Sequence, residues 1–205
     1  APINWAVING ETKTGVTTFF LDHDIDTGRI IMQKEFPIPD NADVEYVYDG
    51  LMALGADICI ETVDAVINND GNVPSQPQRE DLPLKSAPKL FKETCLINWN
   101  KEAKQVYDFV RGLSPVPGAW CEIVHNDEKP VVMKIFRTAK TDKPLTAKDQ
   151  PGDICAEGQH LLIAAADKWL EIVELQLAGK KRMMAKDFLN GYDIKGKRVF
   201  MNFEF

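Results

Sequence analysis

Residues 153–177 read DICAEGQHLLIAAADKWLEIVELQL. Three apolar stretches, 153–156, 161–165 and 169–177, are separated by short polar breaks at EGQH and ADK. The last of them places Leu170, Ile172, Leu175 and Leu177 close to a two-residue alternation, the period of a strand with one buried face. Two similar stretches lie upstream at 119–124 and 130–137, punctuated by Pro, Gly, Asp and Asn. Five short strands at such close spacing predict a small antiparallel barrel. Ahead of them a helix is expected over 101–113, with Ala103, Val106, Tyr107, Val110 and Leu113 on one face and Asn100 as its N-cap. Behind them a short helix is expected over 185–190, stopped by Gly191, and a returning strand over 199–203.

Toward the N-terminus the pattern changes. Residues 69–89, NDGNVPSQPQREDLPLKSAPK, hold four prolines and no sustained apolar period, and read as an extended connector. Before it, a short helix ends near Gly10, and strands are expected at 16–21 and 29–36. Asp40 is expected to open a long helix on which Val44, Val47, Leu51, Leu54, Ile58 and Val66 follow the helical period. Strand, loop, strand and helix are too little for a closed domain, so the remainder of this unit is expected upstream. The boundary falls near residue 84, giving units of 1–84 and 85–205.

Charge changes at the same place. The chain of 205 residues has a net charge of −7. Up to Leu84 there are 4 Lys and Arg against 15 Asp and Glu, a net of −11. From Lys85 onward there are 20 against 16, a net of +4. Such a break points to two units with different partners. No apolar run approaches the roughly 20 residues that span a bilayer, so no membrane role is expected. Cys59, Cys95, Cys121 and Cys155 show no metal-ligand spacing. Cys59 and Cys121 sit among apolar residues and are expected to be buried. A reduced, cytoplasmic, monomeric protein is the expectation.

Chemistry concentrates in the loop Asp22-His23-Asp24-Ile25-Asp26-Thr27-Gly28. Three acids at alternate positions beside a His permit a turn, a metal site or a catalytic acid, and the residues alone leave all three open. A metal needs further ligands, and the other histidines lie far off in sequence, so no metal is expected. Lys180, Lys181 and Arg182 form the tightest basic run, which by itself is either a solvated face or a phosphate-binding surface.

The chain resembles the methionyl-tRNA formyltransferases along its whole length. APINWAVINGETKTGVT at 1–17 is similar to the stretch that follows that family's R-G-A. LDHDIDTGRII at 21–31 resembles the folate-dependent formyltransferase loop D-x-G-x-D-T-G, with Asp26 at the catalytic aspartate and Asp24 where the family usually has Gly. RGLSPVPGAW at 111–120 resembles the opening of the family's C-terminal domain. LQLAGKKRMMAKDFLNG at 175–191 resembles its L-x-P-A-G-K-x-x-M-x-A-x-D-F-L-x-G run, with Leu177 in place of the usual Pro. The resemblance implies the end of a Rossmann-like α/β formyltransferase domain followed by an OB-like β-barrel. It implies formyl transfer from 10-formyltetrahydrofolate to the amino group of methionyl initiator tRNA. Asp26 is then catalytic, Asp22, His23, Asp24 and Ile25 line the folate pocket, and Lys180, Lys181, Arg182 and Arg111 contact tRNA. The family's Asn, its His and its S-L-L-P stretch precede R-G-A and are not in this chain, which is therefore expected to be inactive alone. The rival expectations are a formyltransferase acting on a sugar-nucleotide amine and a non-catalytic RNA-binding fragment.

Overall fold

The structure, a computed structural model, describes residues 1–79, 83–125 and 129–200. It opens on a short helix, α1 (Pro2–Ile8), followed by β1 (Lys13–Phe19) and β2 (Ile30–Pro37). The two strands pair antiparallel from Lys13 opposite Pro37 to Phe19 opposite Ile30, with a register shift at Thr18/Phe19. Helix α2 (Val44–Asn68) lies on this hairpin and turns Val44, Val47, Leu51, Ile58 and Thr62 inward, a helical stripe as the sequence predicts. It begins later than expected. Asp43 is the N-cap, accepting from the Tyr46 N–H at 2.9 Å. Asp40 is engaged elsewhere: its carboxylate takes Lys140, and its carbonyl accepts from the Tyr107 hydroxyl. Val7, Ile38, Val47 and Leu51 form a small core here. The outer face of α2 stays in solvent and carries Tyr48, Met52, Ile60, Val63 and Ile67. Cys59 is exposed as well, contrary to the expectation of burial, because it projects from α2 on the side away from the hairpin; Cys121 is buried.

The second unit is built on α3 (Ala103–Leu113) and the strands β3 (Ala119–His125), β4 (Val131–Pro144), β5 (Ile154–Glu157), β6 (His160–Ala164), β7 (Lys168–Leu177), β8 (Met183–Met184) and β9 (Lys197–Val199), with α4 (Ala185–Gly191) between the last two. The strand order is β5-β6-β7-β4-β3-β9, with β8 paired to β7. All these pairs are antiparallel. The sheet curls until its edges meet, where Asp153 bridges Arg198 and the Val199 N–H donates to the Gly152 carbonyl at 2.8 Å. Inside lies a continuous core that includes Trp99, Val110, Leu113, Ile135, Ile163, Leu170, Ile172 and Leu175. The expected strands appear, except that the returning strand expected over 199–203 overlaps β9 at Val199 alone and does not continue into Phe200. β4 runs further than expected, to Pro144, and residues 201–203 of the expected returning strand lie outside the described residues.

Helix α3 starts two residues after the expected position. Glu102 is its N-cap, and the Asn100 N–H folds back onto the Asn98 side chain. The Ala103 N–H donates to Asp167 at 2.6 Å, so the turn between β6 and β7 satisfies the start of the helix.

Helix α3 also joins the two units. Asn4 donates to the Gly112 carbonyl at 2.9 Å, and a β-carbon on Gly112 would lie 2.6 Å from the Ile8 side chain. Arg111 is 7% exposed. Its guanidinium binds Asp108 at 2.8 Å and donates to the Ala42 carbonyl at 2.8 Å. Asp108, also buried, takes Lys104 on its other oxygen. A charge pair this deep is retained by its full set of partners, and removing one partner strands the other.

Candidate functional site

The loop joining β1 to β2 carries Asp22, His23, Asp24, Ile25 and Asp26 together, all exposed. Its ends are tied by the Phe20 N–H to the Arg29 carbonyl at 3.0 Å. Inside it, the His23 N–H donates to the Asp22 carboxylate at 2.7 Å and the Thr27 hydroxyl to the Asp24 carbonyl at 3.1 Å. The Asp22 contact is the local turn chemistry that Asp favours. Asp26 sits at φ 61, in the left-handed region that few side chains occupy and that Asp and Asn tolerate best. Such conformations concentrate at functional loops. Gly28 is buried, and a β-carbon there would fall 1.5 Å from the Phe20 carbonyl, so no other residue fits. Leu21 and Ile25 flank the acids at 92% and 90% exposure, two apolar side chains beside an acidic loop with nothing over them. Among the described residues no group of three His, Cys, Asp or Glu is placed to hold a metal ion.

One residue that sequence reasoning missed holds this loop. Gln78, in the connector, donates through its carboxamide nitrogen to the Asp26 carbonyl at 2.7 Å and to the Gly28 carbonyl at 2.9 Å. The only sequence signal was the break in periodicity that made the segment look like a linker.

The basic residues are divided by the fold. Lys180, Lys181 and Arg182 occupy the turn between β7 and β8, where Gly179 at φ 74 reverses the chain. Lys180 and Lys181 are exposed. Arg182 is committed: it makes a two-pronged contact with Glu174, 2.8 Å on each side, and its guanidinium lies 4.2 Å from the Phe136 ring centroid. The Arg182 hydrogen bonds hold the Glu174 carboxyl below its usual range, and Glu174 in turn raises the Arg182 pKa. Arg111 is internal, its guanidinium engaged by Asp108 through Nε and by the Ala42 carbonyl through Nη1. So buried, it presents little surface for the tRNA contact that the resemblance implies. Arg111 and Arg182 instead line one cavity of about 360 Å³ between the units, with Asp43 and Tyr107.

Lys134 was also missed. It stands between Trp120 on β3 and Gln176 on β7 in the register of the barrel's outer face, and Gln176 donates to the Lys180 carbonyl at 2.8 Å. Lys92 lies 5.8 Å from the Trp120 ring centroid. The exposed lysines of the turn therefore continue into a band of cations and one aromatic across three strands.

Known proteins share both halves. The family model described as "Formyl transferase" matches residues 1–63, and "Formyl transferase, C-terminal domain" matches residues 89–193. A methionyl-tRNA formyltransferase of Bacteroides fragilis is 50% identical over 198 residues, covering 95% of this chain and 60% of that protein. Its counterpart in Phocaeicola vulgatus is 51% identical over 197 residues, covering 94% of this chain and 60% of that protein. The chain thus spans about 60% of the length of the curated relatives it matches. Among solved structures, HypX from Aquifex aeolicus in complex with tetrahydrofolic acid superposes with a TM-score of 0.61 at 21% identity, covering 95% of this chain and 33% of that one. WlaRD, a sugar 3N-formyl transferase, superposes with a TM-score of 0.56 at 20% identity, covering 88% of this chain and 60% of that one. At these identities the structural likeness speaks for the fold.

Proposed function

The chain belongs to the formyl transferase family, and on that footing we propose that it carries the aspartate loop and the RNA-contacting barrel of a cytoplasmic methionyl-tRNA formyltransferase. The reaction is transfer of a formyl group from 10-formyltetrahydrofolate to the amino group of methionyl initiator tRNA. The first unit is read as the end of a Rossmann-like domain, and the barrel as OB-like. The observation that carries the reading is Asp26 in a left-handed conformation, exposed and two residues before a buried glycine that admits no side chain.

In this role Asp26 takes the proton released as the amine attacks the formyl carbon, directly or through one water, and orients a histidine supplied by the rest of the enzyme; as the tetrahedral intermediate collapses, the bond from the formyl carbon to N10 breaks and a proton returns to N10, which leaves as tetrahydrofolate. Asp22, His23, Asp24 and Ile25 offer the folate main-chain groups and one apolar side chain. The oxyanion of the tetrahedral intermediate needs donors, which the resemblance assigns to the family's Asn and His ahead of R-G-A, so the 205 residues alone should transfer no formyl group. No resident metal is invoked.

The sugar-nucleotide alternative has structural neighbours, but the exposed Lys180 and Lys181 favour a polynucleotide, whose phosphates such a turn can contact without reading bases. The test is Asp26→Asn in an enzyme of the relatives' full length, at matched thermal stability. A loss of about 10²–10⁴ in kcat with methionyl-tRNA is expected, the range of a general base. Activity near that of the unaltered enzyme would return Asp26 to a turn residue. Faster turnover of a sugar-nucleotide amine would favour the alternative.

A further inference from the structure

We infer that Gln78 is a positioning residue that fixes the main chain at Asp26, and with it the point from which the carboxylate extends, and that residues 75–78 of the connector act as a latch on the aspartate loop. This rests on the reading of Asp26 as the proton acceptor.

Three sets of contacts zip the connector to the loop and to the start of β2. The Arg29 guanidinium donates to the Ser75 hydroxyl at 3.0 Å and to the Ser75 carbonyl at 2.6 Å. Ile30 and Gln76 exchange both main-chain hydrogen bonds, at 2.8 and 2.9 Å. The Gln78 carboxamide then reaches the Asp26 and Gly28 carbonyls. Both partners are acceptors, so only the NH₂ end of the amide can face them, and each of its two N–H groups meets one carbonyl.

The consequence for Asp26 is geometric. The direction of its own carbonyl sets its ψ, and with φ at 61 that leaves one course for the bond from Cα to Cβ. The Gly28 carbonyl fixes the next turn of the chain in the same way. The loop has few other restraints. Its acids are exposed, and the other hydrogen bonds seen for it among the described residues are the Phe20–Arg29 tie and two bonds between near neighbours. A carboxylate that must accept a proton at hydrogen-bond distance loses about 10²-fold when displaced by about 1 Å. An exposed loop of this kind holds such tolerance only if something outside it supplies the restraint. The contacts place that restraint in the connector.

Two readouts test the latch. In the 205-residue chain, hydrogen exchange at the Phe20, Ile30 and Gln76 amides is compared between the unaltered protein and Gln78→Leu, and exchange about tenfold faster at these three is expected, with α2 and the barrel unchanged. In the full-length enzyme, Gln78→Leu and the isosteric Gln78→Glu, which lacks donors, are expected to lower kcat about 10–100-fold with KM for methionyl-tRNA within about twofold. Gln78→Lys, which keeps N–H donors, is expected to recover most of the loss. Unchanged exchange in Gln78→Leu overturns the latch whatever Asp26 does. Faster exchange with unchanged kcat, in an enzyme that Asp26→Asn inactivates, overturns the positioning role. An active Asp26→Asn enzyme sinks the reading of Asp26 itself, and with it this inference, and is recognised by that variant alone.

Discussion

The barrel and the hairpin unit solve the problem of burial differently. The barrel closes its sheet edge to edge and packs a continuous core from seven strands and α3. The hairpin unit has two strands, a small core built on four buried side chains, and a long helix with one apolar face in solvent. It leans on α3 through Asn4, Gly112 and Arg111. The difference teaches where order comes from. The barrel supplies its own, while the unit that carries the acidic loop borrows its order from α3 and from the connector.

The sharpest test of that asymmetry is a pair of truncations. Ile135→Ala, at a fully buried barrel position, should cost about 2–5 kcal/mol. The main thermal transition should fall by roughly 2–4 °C per kcal/mol, and the hairpin unit should melt with it. Val47→Ala removes two methyl groups from the small core, worth about 1.6 kcal/mol at about 0.8 each. Calorimetry should show it loosening the hairpin unit and leaving the barrel transition in place. An equal shift of one common transition would break the comparison and make the chain a single cooperative unit.

Next in size is the joint. Arg111→Met leaves Asp108 buried with Lys104 as its remaining counter-charge. The loss should lie near 3 kcal/mol, the lower end for a broken buried pair. Urea unfolding should then place the hairpin step further below the barrel step than in the unaltered chain. Adding Asp108→Ala should recover part of the loss, since no uncompensated charge then remains.

The basic turn is expected to show a smaller, salt-dependent effect. Each neutralised phosphate contributes about 0.7–0.9 to the slope of log K against log salt. Lys180→Ala with Lys181→Ala should therefore flatten tRNA binding by roughly 1.4–1.8 units, for any tRNA. Arg182→Ala should add less than one further unit, because Glu174 already holds that guanidinium. Filter binding from low to physiological salt would show it. Identical slopes would reduce the turn to a solvated face.

The smallest effect is at Asp40. Hydrogen bonding to Lys140 holds its carboxyl below the usual 3.8. A lowered carboxylate stabilises the folded state above the unfolded value and loses that contribution as pH falls through the folded one. The melting-temperature gap between the chain and Asp40→Asn should be present at pH 6 and should close below pH 4. With the side chain 62% exposed, the gap should be small. A gap that widens in acid would contradict the sign.

These expectations also mark what was legible in the sequence. The barrel strands were, because two-residue alternation survives wherever one face is buried; the two-residue β8 is too short to carry a period. Helix starts were displaced by competition among nearby polar groups. Asp40 is taken by a lysine from β4, leaving Asp43 to cap α2, and Asp167 from a distant turn sets the start of α3. Cys59 was misjudged because an apolar neighbourhood in sequence does not say which face of a helix is covered. Of the candidate site, the acidic loop was visible as local composition. The Gln78 contacts were not, since they span 52 and 50 residues and leave no local trace. The burial of Arg111 left no local trace because, besides Asp108 three residues before it, the oxygens that enclose it belong to Pro39 and Ala42, about 70 positions away.

Gly112 has a consequence for anyone recombining parts. The missing side chain there is a keyhole: its empty volume belongs to Ile8, whose side chain and main-chain nitrogen would stand 2.6 and 2.8 Å from any β-carbon. A barrel grafted behind a different leading segment must meet a helix that presents the same outline to that vacancy, or the two pieces will seat out of true. The portable module is therefore the barrel together with α1, and a chimera cut anywhere between Ile8 and Gly112 should be judged first by whether it returns this one helix to its socket.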